Sequence, residues 1–311
     1  MKYAGFGWIS CIVPAMFSAS CGPQVGGIVV EQWTPLAEGA WSLDAGAENP
    51  TWCTELTIAE ETYISALRPV APPGTHHVTL NLVSSDDDGG CSAGRLEPET
   101  IYAAGPGAGE VRMPSGVAMR IAGGQSVRLN LHVYNATSQP LEGVSGVEIV
   151  RAKPDTVRDE AGFVLAGPEK ITLPPKQRTT VTQSCSFTAD QTAFALIPLM
   201  HKLGVQFKTT VTRGGESTVL YDGAFLLEDQ TQVPMASLAF RAGDSITVEC
   251  TYENPTYGFI TKGHNGGEIC YGALLRYPRG ADVDCDDTDD NSGKSDSGSS
   301  GPGISGSLKS P

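Results

Sequence analysis

Histidine is scarce in this chain, with five in 311 residues, so chemistry that depends on imidazole is confined to a few places. Basic charge is short as well: 21 Lys and Arg stand against 35 Asp and Glu, a formal net charge of −14. Such a surface has little with which to neutralise phosphates, which argues against nucleic acid as a partner. Runs with helical period are few, while Gly and Pro are abundant. No two cysteines form a CxxC knuckle, which argues against a structural zinc site. Beyond the first twenty residues, no apolar segment is long enough to span a bilayer. What is present is ordinary apolar content, 40 %, in a length that fits one large or two medium domains.

Residues 1–20 have the layout of an export signal. Lys2 is the charged region, the stretch from Tyr3 to Phe17 is largely apolar, and Ser18-Ala19-Ser20 is a small-residue cleavage site. Cleavage there leaves Cys21-Gly22-Pro23 at the new N-terminus. That resembles a bacterial lipoprotein with Cys21 lipidated, although Ser18 stands where Leu is usual. Ordinary secretion, with Cys21 free or paired, is the other reading. Either way the expectation is an exported protein: a lipoprotein of the periplasm, outer membrane or cell surface, or a secreted chain. A lipid on Cys21 would be its one membrane contact. Cys11 leaves with the signal, and six cysteines then remain in the body: Cys53, Cys91, Cys185, Cys250, Cys270 and Cys285. An even set in an oxidising compartment reads as three disulfides, whose pairing the sequence alone leaves open.

Residues 21–35 read as a tether. From Tyr63 onward, short alternating runs such as His77-Val78-Thr79-Leu80-Asn81-Leu82 are separated by turn clusters such as Gly105-Pro106-Gly107. Short strands at this spacing predict an all-β fold of sandwich type. A break at Lys153-Pro154-Asp155 divides two strand series, so two consecutive antiparallel β-sandwich domains are expected, 36–152 and 153–285. The second series includes a strand starting at His201 and a last one over about 268–277. Residues 286–311 are rich in Asp, Ser and Gly with almost nothing apolar, and read as a disordered acidic tail. Asp282, Asp284, Asp286 and Asp287 could hold calcium weakly, but the preferred reading is a solvated acidic tail.

Four of the five histidines lie in strand-like runs. His76 and His77 open one, His132 sits in Val127–Tyr134, and His201 begins another; His264 lies in the Gly-rich stretch 262–267. Three imidazoles from different strands are a common way to hold copper, zinc, iron or nickel, and His76, His77 and His132 are the candidate set. Neighbours on a regular strand face opposite ways, so His76 and His77 can share one ion only if the strand is bulged or twisted. Pro72-Pro73-Gly74, just ahead of them, favours irregular backbone. The bland alternative has one histidine in the core and the other in water.

Several segments fall in the order of a known series: Pro73-Gly74-Thr75-His76-His77-Val78-Thr79-Leu80, Leu131-His132-Val133-Tyr134-Asn135, Leu199-Met200-His201-Lys202-Leu203-Gly204 and Glu268-Ile269-Cys270-Tyr271. Together they resemble the copper type II, ascorbate-dependent monooxygenases, the family of peptidylglycine α-hydroxylating monooxygenase and dopamine β-hydroxylase, over roughly residues 45–285. The resemblance implies two jelly-roll β-sandwiches, each carrying one copper across a solvent-filled cleft. It implies His76, His77 and His132 as ligands of the electron-transferring copper. It also implies the pairings Cys250–Cys270, Cys185–Cys285 and Cys53–Cys91.

The second copper site departs from that pattern. His201 matches one ligand, but Leu199 replaces the other histidine and Ile269 the methionine. Met200 faces the opposite side of the strand from His201, and His264 could complete the site only by swinging in. Ile197 replaces a substrate-clamping Arg and Ala273 a Tyr, so the pocket reads as apolar, which does not suit a peptidylglycine substrate. The leading expectation is an exported copper-binding protein that keeps the first site, lacks the oxygen-activating one, and stores, senses or passes copper or binds a protein partner. One alternative is an active copper- and ascorbate-dependent monooxygenase acting on a C–H bond of a small apolar substrate. The other is a metal-free structural or interaction module.

Overall fold

Alternating apolar and polar residues form strands here because alternation sends one set of side chains to a core and the other to water. The computed structural model describes residues 31–84, 91, 100–233, 235–263, 267–280 and 283–285. The export signal, Cys21, His264, Asp282 and the acidic tail 286–311 lie outside the described residues. The first strands in chain order are β1 (Trp33–Leu43), β2 (Glu48–Thr57), β3 (Thr62–Val70), β4 (Thr75–Leu82), β5 (Thr100–Ala104), β6 (Val111–Arg112), β7 (Val117–Ile121), β8 (Ser126–Tyr134) and β9 (Leu141–Arg151). After a short 3-10 turn, Pro154–Thr156, come β10 (Asp159–Ala166), β11 (Thr172–Leu173), β12 (Gln177–Phe187), β13 (Gln191–Met200), β14 (Gly204–Arg213) and β15 (Glu216–Ala224). The chain ends in β16 (Leu238–Phe240), β17 (Ser245–Asn254), β18 (Ile260–Thr261), β19 (Cys270–Tyr277) and β20 (Val283–Asp284). The fold is all-β, with no α-helix among the described residues.

Two expectations are corrected. The tether does not run to residue 35, because β1 starts at Trp33 and pairs with β9 from that residue. His201 does not begin a strand: β13 stops at Met200, and His201 opens the turn that leads into β14. The cause of that stop is the buried carboxylate of Glu268, which accepts the backbone N–H of both His201 and Leu203 at 3.0 and 2.8 Å.

Three main sheets make the body. A four-stranded sheet, β2-β8-β4-β5, packs against β3, β7 and β9 through a first core that includes Ile64, Leu67, Val78, Leu80, Leu129 and Val147. A five-stranded sheet, β15-β14-β17-β12-β20, packs against β13 and β19 through a second core containing Phe187, Leu196, Phe207, Val248, Tyr252 and Leu274. Between them runs one continuous nine-stranded sheet, ordered β1-β9-β3-β7-β10-β19-β13-β16, with β6 paired to β3 beside that path. Strand β10 joins its two ends: Asp159–Ala161 pair in parallel with β7, and Gly162–Ala166 pair antiparallel with β19.

Strands β13 and β19 are buried on both faces. Ala195, Ile197 and Leu199 point into the first core, whereas Leu196 and Met200 point into the second. On β19, Ala273 and Leu275 join the first core and Leu274 the second. The disulfides Cys53–Cys91, Cys185–Cys285 and Cys250–Cys270 are the three pairs implied by the resemblance. They fit an oxidising compartment. No helix among the described residues is long and apolar enough to cross a membrane.

Because the first core takes side chains from both strand series, the two series should unfold together. Leu199→Ala is expected to cost about 2–5 kcal/mol and to shift one calorimetric transition. Two separable transitions, of which only the later-strand one moved, would contradict a shared core.

Candidate metal centre

The site begins at a turn. Pro73 and Gly74 occupy the middle of the turn 72–75, closed by Thr75 N–H donating to the Pro72 carbonyl at 3.0 Å. Gly74 has φ of 99°, the left-handed backbone that a type II turn requires at its third residue, with Pro favoured ahead of it. Trp41 packs so tightly here that a Cβ on Gly74 would lie 2.6 Å from its ring. The Trp41 indole N–H donates to Ser145 Oγ at 2.7 Å, and Thr75 Oγ1 lies 2.7 Å from the same oxygen. The start of β4 is thereby fixed before the histidines are reached.

Register then slips. On β4, Thr75 pairs with Val133 and His77 with His132, so His76 is the extra residue of a β-bulge. A bulge removes the objection that neighbouring side chains diverge. The three imidazoles converge, with ring centroids 4.5 Å apart for His76–His132, 4.9 Å for His77–His132 and 5.4 Å for His76–His77. One nitrogen from each lies within 4.8 Å of the others.

The residues fit a metal ion. The Nδ1 atoms of His76 and His77 lie 3.2 Å apart, close to the spacing of two nitrogens bound at about 2.0 Å to one roughly tetrahedral ion. Burial, reinforced by His132 and His201, pushes the His76 imidazolium down to about 4, so its ring is neutral near pH 7, as a ligand must be. His132 Nε2 lies 2.5 Å from Glu48 Oε1. A carboxylate has no proton to give, so the N–H belongs to Nε2 and the lone pair of His132 to Nδ1. A carboxylate behind a ligating histidine is the usual way to fix its tautomer and raise its basicity. An all-imidazole set suits copper, zinc, nickel or iron.

His201 stands on the other side of this cluster, at the end of β13. Its Nδ1 lies 2.9 Å from the Gly267 carbonyl, to which it donates. Burial lowers its basicity, and that carbonyl opposes the shift. His76, His77 and His201 all line a groove of about 590 Å³, together with His132, Glu48 and Lys202. The same three histidines also line a cavity of about 30 Å³, whose other walls include Leu199 and Ile269. Leu199, Ile269, Ile197 and Ala273 are 4 %, 8 %, 3 % and 0 % exposed and belong to the first core. Met200 faces the second core. His76, His77 and His132 form the one potential metal-holding group of His, Cys, Asp and Glu found among the described residues.

Glu48 was not legible as a site residue, because nothing in Glu48-Asn49-Pro50-Thr51 marks a strand. A second feature was legible and shows why only one strand series carries the cluster. Gly124-Gln125-Ser126 through Asn135-Ala136-Thr137 is echoed by Gly243-Asp244-Ser245 through Asn254-Pro255-Thr256. Asn135 and Asn254 make matching side-chain hydrogen bonds to three carbonyls each. The bulge recurs too: β14 slips between Gly204 and Gln206, where Gln206 pairs with Thr251. His76, His77 and His132 therefore correspond to Val205, Gln206 and Thr251, which offer no imidazole.

No protein-family model matches the chain, and no curated protein matches it in sequence.

Removing the carboxylate behind His132, as Glu48→Ala, should weaken metal binding about 10–100-fold while leaving the stoichiometry unchanged, measured by competition with a chromophoric chelator. The buried Glu268 carboxyl is pushed up to about 7, chiefly by burial against the opposing N–H bonds. Its unfolded form ionises at lower pH, so its contribution to stability is full in acid and falls as pH rises through 7. Glu268→Gln should flatten that part of the stability–pH curve and cost about 1–3 kcal/mol, read by denaturant unfolding between pH 5 and 8.

Proposed function

We propose that the chain is an exported single-copper protein built on the scaffold of the copper type II, ascorbate-dependent monooxygenases. It carries copper at His76, His77 and His132 and lacks the oxygen-activating second site of that family. The observation that carries this reading is the burial of Ile197, Leu199, Ile269 and Ala273 in the core shared by both strand series. Those are the positions where the resemblance requires a substrate clamp and two of three ligands. Aliphatic side chains offer no donor atom to an ion and no charge to a substrate carboxylate.

Copper is preferred over zinc because the three histidines match the first-site motif of the resemblance. The groove beside the cluster gives the ion a route to solvent, which suits passing copper, or an electron, to a partner. Cys21 would hold the mature protein to a membrane by a lipid, with the tether keeping the body clear of the surface.

Anaerobic Cu(I) loading followed by desalting should leave about one copper per chain, lost in His76→Ala or His132→Ala and retained in His201→Ala. Two coppers per chain, with ascorbate-dependent oxygen consumption abolished by His201→Ala, would establish the monooxygenase alternative instead. No copper, and no change of melting temperature in the His76 and His132 variants, would leave a metal-free scaffold.

A further inference from the structure

Tyr257 and Phe259 are the two most exposed large apolar side chains among the described residues, 89 % and 66 % in water. Single exposed hydrophobes are ordinary, but these two stand two residues apart on one short loop. The loop runs from β17 to β18 and is held from within. Asn254 donates to the carbonyls of Leu173, Pro174 and Gly258, and Gly258 N–H donates to Thr256 Oγ1 at 3.3 Å. Lys176 N–H donates to the Thr256 carbonyl at 3.2 Å, from a backbone φ of 56°, the one positive φ outside glycine among the described residues. Such a conformation persists only where its surroundings enforce it. The matching loop of the first strand series shows that this backbone has no need of aromatics. Asn135 donates there to the carbonyls of Leu43, Asp44 and Gln139, and Gln139 N–H donates to Thr137 Oγ1 at 3.3 Å. Ser138 and Pro140 stand in the places of Tyr257 and Phe259. Folding therefore gives no reason for two rings in water on the second loop.

We infer that Tyr257 and Phe259 form an interfacial anchor that enters the headgroup layer of a membrane containing anionic lipid, with Lys176 at the level of the phosphates. Lys176 Nζ bonds the Pro255 carbonyl and lies 3.9 Å from the Tyr257 ring centre, rather than beside a carboxylate. Arg178 and Glu253 nearby neutralise each other. In a chain of net charge −14, the loop thus carries two rings and one uncompensated cation. That is interface chemistry: aromatic rings settle among headgroups while lysine keeps its ammonium in water. Two rings offer far less area than the roughly 800 Å² per side of a stable protein interface. The other exposed large hydrophobes, Tyr134, Val144, Val219 and Leu226, lie on other segments and do not extend the patch. The inference rests on the reading of Cys21 as a membrane anchor. Eleven residues, 22–32, separate Cys21 from Trp33, a reach of about 40 Å at most. A tether of that length leaves the body clear of the surface unless a second contact draws it down, and this loop is that contact.

The test couples the Cys21 thiol of the mature chain to a lipid with one acyl chain, on vesicles of phosphatidylcholine with added phosphatidylglycerol. One chain gives only marginal retention, so the residence time reports any second contact. The native chain should leave the vesicles about tenfold more slowly than Tyr257→Ser/Phe259→Ser. Lys176→Gln should shorten the residence time on these vesicles and not on phosphatidylcholine alone. Tyr257→Trp should add emission that acyl-brominated lipid quenches, whereas Ser138→Trp, on the matching loop, should add emission that it does not. Equal residence times with no quenching at position 257 overturn the anchor, and so does a residence time indifferent to both Lys176 and anionic lipid. Dimerisation of the unlipidated native chain in sedimentation, lost in Tyr257→Ser/Phe259→Ser, gives the rings to a second copy and overturns it as well. Because the lipid is attached chemically, none of these outcomes depends on natural lipidation, which the mass of the exported chain reads separately.

Discussion

Strands β13 and β19 are packed on both faces, and much of the rest depends on that constraint. A strand exposes successive side chains to opposite sides, so Ile197 and Leu199 serve the first core while Leu196 and Met200 serve the second. A histidine or arginine at 197 or 199 would have to be desolvated inside a core, at a cost of about 2–7 kcal/mol for an unpaired polar group. Leucine and isoleucine at these positions follow from the packing.

The histidine cluster depends on a different device. Pro73 and Gly74 shape a turn, Trp41 and Ser145 pin it, and one extra residue then enters β4 opposite β8. The equivalent bulge in β14 shows that this irregularity belongs to the repeated strand pair. What differs is side-chain chemistry: Val205, Gln206 and Thr251 stand where the first series has three imidazoles. One backbone geometry thus occurs twice and is given metal-binding side chains once.

Those side chains sit at the boundary between the two cores. Loop and strand ends of the later series, at His201, Gln230 and Ile269, come up against β4 and β5 and form the far wall of the smaller cavity. Glu268 holds His201 in place by taking the backbone N–H on which the turn after β13 depends. A carboxylate that caps a turn and a ring that donates to Gly267 thus shape the surroundings of the histidine cluster of the earlier series.

The all-β class, the two strand series, the three candidate ligands and an even set of cysteines were legible in the chain, because alternation, turn residues and residue type are local properties. So was the condition that His76 and His77 need a bulge. Strands β1 and β2 were not legible, because their first residues carry little alternation and they are defined by pairing with β9 and β8. For the same reason Glu48 came to light only through its neighbour across the sheet. Sequence by itself determined which donors this protein owns and which it lacks. Tertiary structure alone decided that Leu199 and Ile269 are core, that Glu48 stands behind His132, and that His201 faces the first site, because burial and distance depend on segments far apart in the chain.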